Sequence, residues 1–297
     1  MEAYRTPAER FAHLPGYPWE PRYREWAGLR LAYLDEGEGA PVVLLHGEPT
    51  WSYLWRKVMG PLLEAGYRCI APDLPGFGRS DKPVDDDWYS YDRHTDAVAS
   101  LLAELDLREA TFVMQDWGGP IGLRVATLEQ PERVARLVAM DTGVFTGRQP
   151  MSEGWHRFAA FVARNPDVPI APLIVGACRH PPPDEVVAAY EAPFPDARSK
   201  AGPRTFPRMI PLSPDAPGAA EGQAVAEAML GDRRPSLLLW ADSDPALPLD
   251  PVGRQVQTLF PTADELTVIE DAGHFLQEDQ GEQVGALIVD WLGTQRA

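Results

Sequence analysis

The stretch TFVMQDWGGPIGLR, residues 111–124, decides the fold. Thr111–Met114 is a run of strand-forming residues, Gln115 and Asp116 are polar, Gly118 and Gly119 follow, and helix-compatible sequence begins at Pro120. A chain that passes from strand to helix through so few residues turns sharply. Such a corner leaves its middle side chain, here Asp116, exposed above the sheet and aims the next backbone N–H into the same space. The start of a helix also carries positive potential, which favours an ionised carboxylate. An Asp in this position can equally serve as a helix cap, so the corner alone does not establish chemistry.

The same alternation extends in both directions. Strand-like runs occur at Leu29–Leu34, Val42–Leu45, Tyr67–Ala71, Thr111–Met114, Val134–Met140, Leu237–Trp240 and Leu266–Ile269. Helical candidates lie at Tyr53–Ala65, Tyr91–Leu105, Pro120–Glu129 and Gly281–Leu292. Strands separated by helices imply an α/β protein with a parallel sheet covered on both faces. The alternation stops after Asp141 and resumes at Ser236. An interruption of ~70 residues is too long for an ordinary loop, and within it Trp155, Phe158, Ala159 and Val162 have the spacing of an amphipathic helix. The expected organisation is a core of residues 1–142 and 213–297 with an inserted helical cap, or lid, at 143–212. Ser213–Gly222 is the expected return linker.

Composition narrows the function. The 297 residues include 44 acidic and 27 basic side chains, a formal charge of −17, which opposes contact with nucleic acid or an anionic membrane surface. The two cysteines, Cys69 and Cys178, are too few for a disulfide framework or a thiolate metal cluster. The first ten residues lack a signal-peptide core, and no apolar run approaches the ~18 residues of a membrane span. A cytoplasmic protein is therefore expected. Neither G-x-G-x-x-G nor a Walker sequence occurs, so no nucleotide cofactor is indicated.

In an open α/β sheet the functional residues gather at the carboxyl ends of the strands. The turns at these ends carry His46-Gly47-Glu48-Pro49, Asp73 to Gly78, Gln115-Asp116-Trp117, Asp242-Ser243-Asp244 and Asp271 to His274. Asp116, Asp244 and His274 occur in the order nucleophile, acid, base, the chain order of triads on this type of sheet. Asp141 also follows a strand and competes with Asp244 as the acid partner of His274. His46, beside the first turn, is expected to brace the loop.

Together HGEPTWSYLWRK (46–57), PDLPGFGRSDKP (72–83), QDWGG (115–119) and DAGHFLQED (271–279), with the lid sequence AYEAPFPD (189–196), resemble haloalkane dehalogenases. The likeness is greatest to the subgroup with Glu rather than Asn after His-Gly. It implies an α/β-hydrolase fold: a mostly parallel eight-stranded sheet flanked by helices, with an inserted helical cap. It also implies hydrolysis of a carbon–halogen bond through a covalent alkyl ester, with Asp116 as nucleophile, His274 as base and Asp244 as acid. The backbone N–H groups of Glu48 and Trp117 would form the oxyanion hole, and the indoles of Trp117 and of a lid tryptophan, here Trp155, would hold the halide. No cofactor and no metal are implied. The expected partners are a small halogenated aliphatic substrate, water and the halide product, and the expected state is a monomer. Phe158, Phe161, Leu173 and Phe194 are expected to set substrate size. Met114 departs from the resemblance, since a small residue is expected two positions before the nucleophile. The alternative readings are an epoxide hydrolase using the same Asp116 and His274, with Tyr190 as the only lid phenol, and a catalytically silent ligand-binding relative.

Overall fold

The computed structural model describes residues 1–295; positions 296 and 297, the end of the expected core, lie outside it. Eight strands form one sheet: β1 (Arg22–Trp26), β2 (Leu29–Glu36), β3 (Pro41–Leu45), β4 (Arg68–Pro72), β5 (Ala110–Asp116), β6 (Val134–Thr142), β7 (Ser236–Ala241) and β8 (Thr267–Ile269). Their spatial order is β8-β7-β6-β5-β3-β4-β2-β1. All neighbours from β4 to β8 are parallel, and β2 is antiparallel to both β1 and β4. The expected eight-stranded, mostly parallel sheet is therefore present.

Burial explains the strand sequences. Val42, Val43, Leu44 and Leu45 are all fully enclosed, because helices cover both faces and a central parallel strand then reads as a continuous apolar run. The flanking helices include α1 (Arg56–Glu64), α2 (Tyr91–Glu104) and α3 (Gly118–Arg124). The edge strand β1 has no counterpart among the apolar runs. Its sequence RYREW buries only Arg24, and it is held by a hairpin whose turn residues Ala27 and Gly28 both have positive φ. That backbone matches the twist of paired strands, yet leaves no hydrophobic pattern to read.

Between β6 and the next core helix lie α4 (Glu153–Arg164), α5 (Ile170–Ala177) and α6 (Asp184–Glu191), followed by short helical turns up to Met209. The core resumes with α7 (Ala219–Leu230) and, after β8, ends in α8 (Gly281–Thr294). The return linker is shorter than expected: it ends at Gly218, whose φ of +85° sets the start of α7, so positions 219–222 are helical. Among the described residues, no helix is long and apolar enough to cross a membrane.

Chain order and spatial order diverge at β3. The connection through α1 leads to β4 on one side, while the connection through α2 leads to β5 on the other. A crevice opens above the sheet where connections part in this way, and the turns after β3 and β5 both enter it.

Candidate active site

Asp116 sits at the end of β5 with φ +49°, where the pairing of β5 with β6 also shifts register. This strained corner is held from several sides. Thr142 donates its hydroxyl to the Asp116 carbonyl at 2.6 Å. A Cβ on Gly47 would collide with the Asp116 carboxylate, so the loop after β3 approaches it only because residue 47 is Gly. Met114 fits without crowding the turn because Gly122 leaves room for its sulfur: a Cβ there would lie 2.5 Å from Met114 Sδ.

The Glu48 N–H donates to Asp116 Oδ1 at 2.8 Å, and Asp116 Oδ2 lies 3.5 Å from His274 Nε2. His274 Nδ1–H donates to Asp244 Oδ2 at 2.7 Å, which leaves Nε2 toward Asp116. Asp244 is fixed in turn by the N–H groups of Ala246 and Leu247, which donate to Oδ1 at 2.7 and 2.8 Å. Burial lowers the basicity of His274, but the charges of Asp244 and Asp116 and their contacts with the ring outweigh it and raise the imidazole pKa well above its ordinary value.

Asp141 does not reach His274 by hydrogen bond. Its Oδ1 accepts from the Ala241 N–H at 3.1 Å, and Oδ2 is buried without a partner. Burial, reinforced by the Asp244 charge, pushes its carboxyl pKa well up. Glu48 is shifted the same way, by burial and then by Asp116, and its Oε1 has no partner.

The carboxylate of Asp116 opens into a cavity of about 320 Å³ lined by Trp117, Trp155, Phe158, Phe161 and Leu173 as well as by Glu48 and His274. Phe194 is not part of it; that ring packs edge-on against Phe77. Phe145, Pro207 and Ile210 line the cavity instead, positions that depend on how the inserted segment packs rather than on local sequence. The indole Nε1 of Trp155 is buried with no acceptor in the protein. Trp117 follows Asp116 in helical geometry at the head of α3, with its ring against Phe145, Phe206 and Tyr91.

His46, expected to brace its loop, and Tyr190, the lid phenol of the alternative reading, are committed elsewhere. His46 bonds Gly47 O through Nδ1 and accepts the Leu74 N–H at Nε2, which agrees with a bracing role. Tyr190 donates to Glu278 Oε2 at 2.8 Å, beside the Arg56–Glu278 ion pair, and does not line the cavity. The inserted segment also touches the loop of His274. Asp279 Oδ2 accepts the N–H groups of both Gly273 and Arg179, and a Cβ on Gly273 would clash with Ala177 O at the end of α5. Among the described residues, no group of three or more His, Cys, Asp or Glu converges as metal ligands do.

Sequence reading did not single out Gln115. It is fully buried, and its amide nitrogen lies 3.1 Å from His274 Nε2 and 3.1 Å from the His274 carbonyl oxygen. The available signal was a polar residue in the last position before the turn of an otherwise apolar strand.

The alpha/beta hydrolase fold family matches residues 40–280. A haloalkane dehalogenase of Psychrobacter cryohalolentis is 42% identical, with 98% of both chains covered. One of Mycobacterium marinum is 41% identical over 98% of this chain and 100% of its own. Among solved structures, the haloalkane dehalogenase DpaA of Paraglaciecola agarilytica, described as tetrameric, superposes with a TM-score of 0.90 at 36% identity, covering 97% of each chain.

Proposed function

This chain belongs to the haloalkane dehalogenases of the alpha/beta hydrolase fold and hydrolyses haloalkanes to alcohol and halide, and from that premise we propose how its residues divide the work. Asp116 is the nucleophile, His274 the base and Asp244 the acid that orients it. Residues 143–212 are the cap over a core of 1–142 and, among the described residues, 213–295.

Asp116 Oδ2 attacks the carbon that bears the halogen, the carbon–halogen bond breaks, and halide leaves with its electron pair as an alkyl ester forms. Oδ1 becomes the ester carbonyl oxygen and keeps the Glu48 N–H. His274 Nε2 then takes a proton from water, and the hydroxide attacks the ester carbonyl. The negative charge gathers on Oδ1, which the Glu48 N–H already holds and to which the Trp117 N–H is the proposed second donor; a donor set in place before the charge develops lowers the barrier. Collapse breaks the bond to the alkyl oxygen, which takes the proton from His274, and Asp116 loses its remaining proton to solvent.

The departing halide is received by the indoles of Trp117 and Trp155, which donate and cannot accept or attack. The unpaired Nε1 of Trp155 supports this reading, because a buried donor without an acceptor is costly. The observation that carries the whole assignment is the Asp116 carboxylate, bonded to the Glu48 N–H on one oxygen and facing His274 on the other. The contacts among Asp116, His274 and Asp244 are made within one chain, and a monomer is the proposed working unit; light scattering tests it against a tetramer like that described for DpaA. No lid tyrosine faces Asp116, which removes the phenolic donor that epoxide opening needs.

The test is bromide release from 1-bromobutane and 1,2-dibromoethane with mass spectrometry of the intact protein. Wild type releases bromide and Asp116→Ala does not. His274→Phe releases one bromide per chain and retains an alkyl group on Asp116. Turnover by Asp116→Ala, or an adduct on another residue, overturns the proposal.

A further inference from the structure

Gln115 is enclosed on the strand that carries Asp116, and its amide meets the His274 ring from the side opposite Asp244 Oδ2 in the hydrogen-bonding scheme. The carbonyl oxygen of His274 can only accept, so its 3.1 Å contact fixes the NH2 end of Gln115 toward His274 and leaves Gln115 Oε1 without a partner. The same nitrogen is 3.1 Å from ring Nε2. With Nδ1–H committed to Asp244, a neutral ring presents a lone pair at Nε2 and accepts from the amide. A ring protonated at Nε2 sets one donor against another.

We propose that Gln115 is a positioning residue for ester hydrolysis, holding the His274 ring at Nε2 and favouring its neutral, proton-accepting form. The proposal rests on the reading of His274 as the base. Four carboxyl groups bear on that ring: Asp116 from β5 and Asp244 after β7 meet it directly, while Asp141 at the end of β6 and Glu48 after β3 interact with it through charge alone. Ionised Asp116 and Asp244 favour the imidazolium. Burial holds Asp141 and Glu48 toward their neutral forms, so they add less charge.

Once the alkyl ester forms, Asp116 no longer carries a charge and one of the two main forces for protonation is gone. Gln115 then stands as the neutral donor in direct contact with Nε2, at the step that needs a free lone pair. When water takes that lone pair, the second amide N–H stays on the His274 carbonyl and keeps the side chain in place.

The test is the pH profile of ester hydrolysis, followed after a single turnover of 1-bromobutane in wild type, Gln115→Leu and Gln115→Glu, with His274→Phe as reference. Loss of the donor in Gln115→Leu moves the acidic limb up by about one pH unit, so hydrolysis below the limb slows about tenfold while the alkaline plateau is kept. Gln115→Glu places an acceptor at the same point and moves the limb further up; nearly isosteric, it carries the test alone if Gln115→Leu does not fold. A limb left in place, with the rate lowered equally at every pH, overturns the proposal and reduces Gln115 to packing. If His274→Phe hydrolyses the ester at the wild-type rate and wild type shows no acidic limb, the base assignment itself fails, which is a separate result.

Discussion

Ser152 donates its hydroxyl to the carbonyl of Ala246 at 2.5 Å. Ser152 also accepts the Trp155 N–H at 2.9 Å as the cap of α4, while the N–H of Ala246 binds Asp244. One serine therefore joins the helix of the proposed halide donor to the loop of the proposed acid. Removing the cap in Ser152→Ala costs about 1 kcal/mol of stability. It also weakens bromide binding, read by tryptophan fluorescence, because Trp155 loses its fixed angle. Unchanged bromide affinity shows that α4 is held without this link.

Trp155→Phe keeps an aromatic ring and removes the indole donor. A hydrogen bond to a charged group contributes ~1.5–3 kcal/mol, so bromide binding weakens about ten- to a hundredfold, with Trp117 still present as the reporter. Wild-type affinity in this variant means that Trp155 only packs α4.

Asp244→Asn and Asp141→Asn separate the two candidate acids. A positioned general acid–base contributes ~10²–10⁴-fold, so Asp244→Asn slows ester hydrolysis by about a hundredfold or more. Asp141→Asn changes it little, and equal losses sink the assignment. Asp141→Asn has a second signature. The folded Asp141 carboxyl titrates above its ordinary value because of burial and the Asp244 charge, so the folded state binds more protons than the unfolded state above about pH 4. The advantage of Asn over Asp in urea denaturation therefore grows as pH rises above about 4 and levels off once the folded carboxyl ionises. A constant difference shows that Asp141 ionises freely in the folded protein.

His94 is buried with neither ring nitrogen bonded, its ring against Tyr89 and Phe206. Burial, with a smaller contribution from His46, pushes its pKa down to about 3. The unfolded chain takes up this proton near pH 6.5 and the folded chain does not, so stability falls as pH drops below about 6.5. One pH unit below that point the cost is about 1.4 kcal/mol. His94→Phe removes it, which chemical denaturation at pH 5.5 and 7.5 reads directly; the same acid loss in wild type and variant rules His94 out.

The strand ends could be read because each apolar run stops where the sheet stops, and Asp116, Glu48, Asp244 and His274 all stand at such stops. Asp141 met the same criterion. What separates it from Asp244 is the path of the loop: Asp141 bonds back to Ala241 in the sheet, whereas Asp244 lies beyond the strand and meets His274. That path has no local sequence signal. Gln115 escaped notice for a related reason, since its partner is 159 positions away and only the tertiary fold brings them together. The edge strand β1 was hidden by its charges, and Phe194 by its aromatic character, which fits a cavity wall as well as it fits packing on Phe77.

The double acceptance at Asp279 bears on engineering by exchange of parts. Gly273, one residue before His274, and Arg179, just beyond α5, share a single carboxylate oxygen. A chimera that takes residues 143–212 from a relative replaces one side of that junction and keeps the other, so its imported loop must supply both an N–H for Asp279 and the clearance that Gly273 requires beside Ala177. Transplants that carry 271–279 together with the inserted helices preserve the junction as a unit, and recombination boundaries are better drawn around it than at the ends of the insertion.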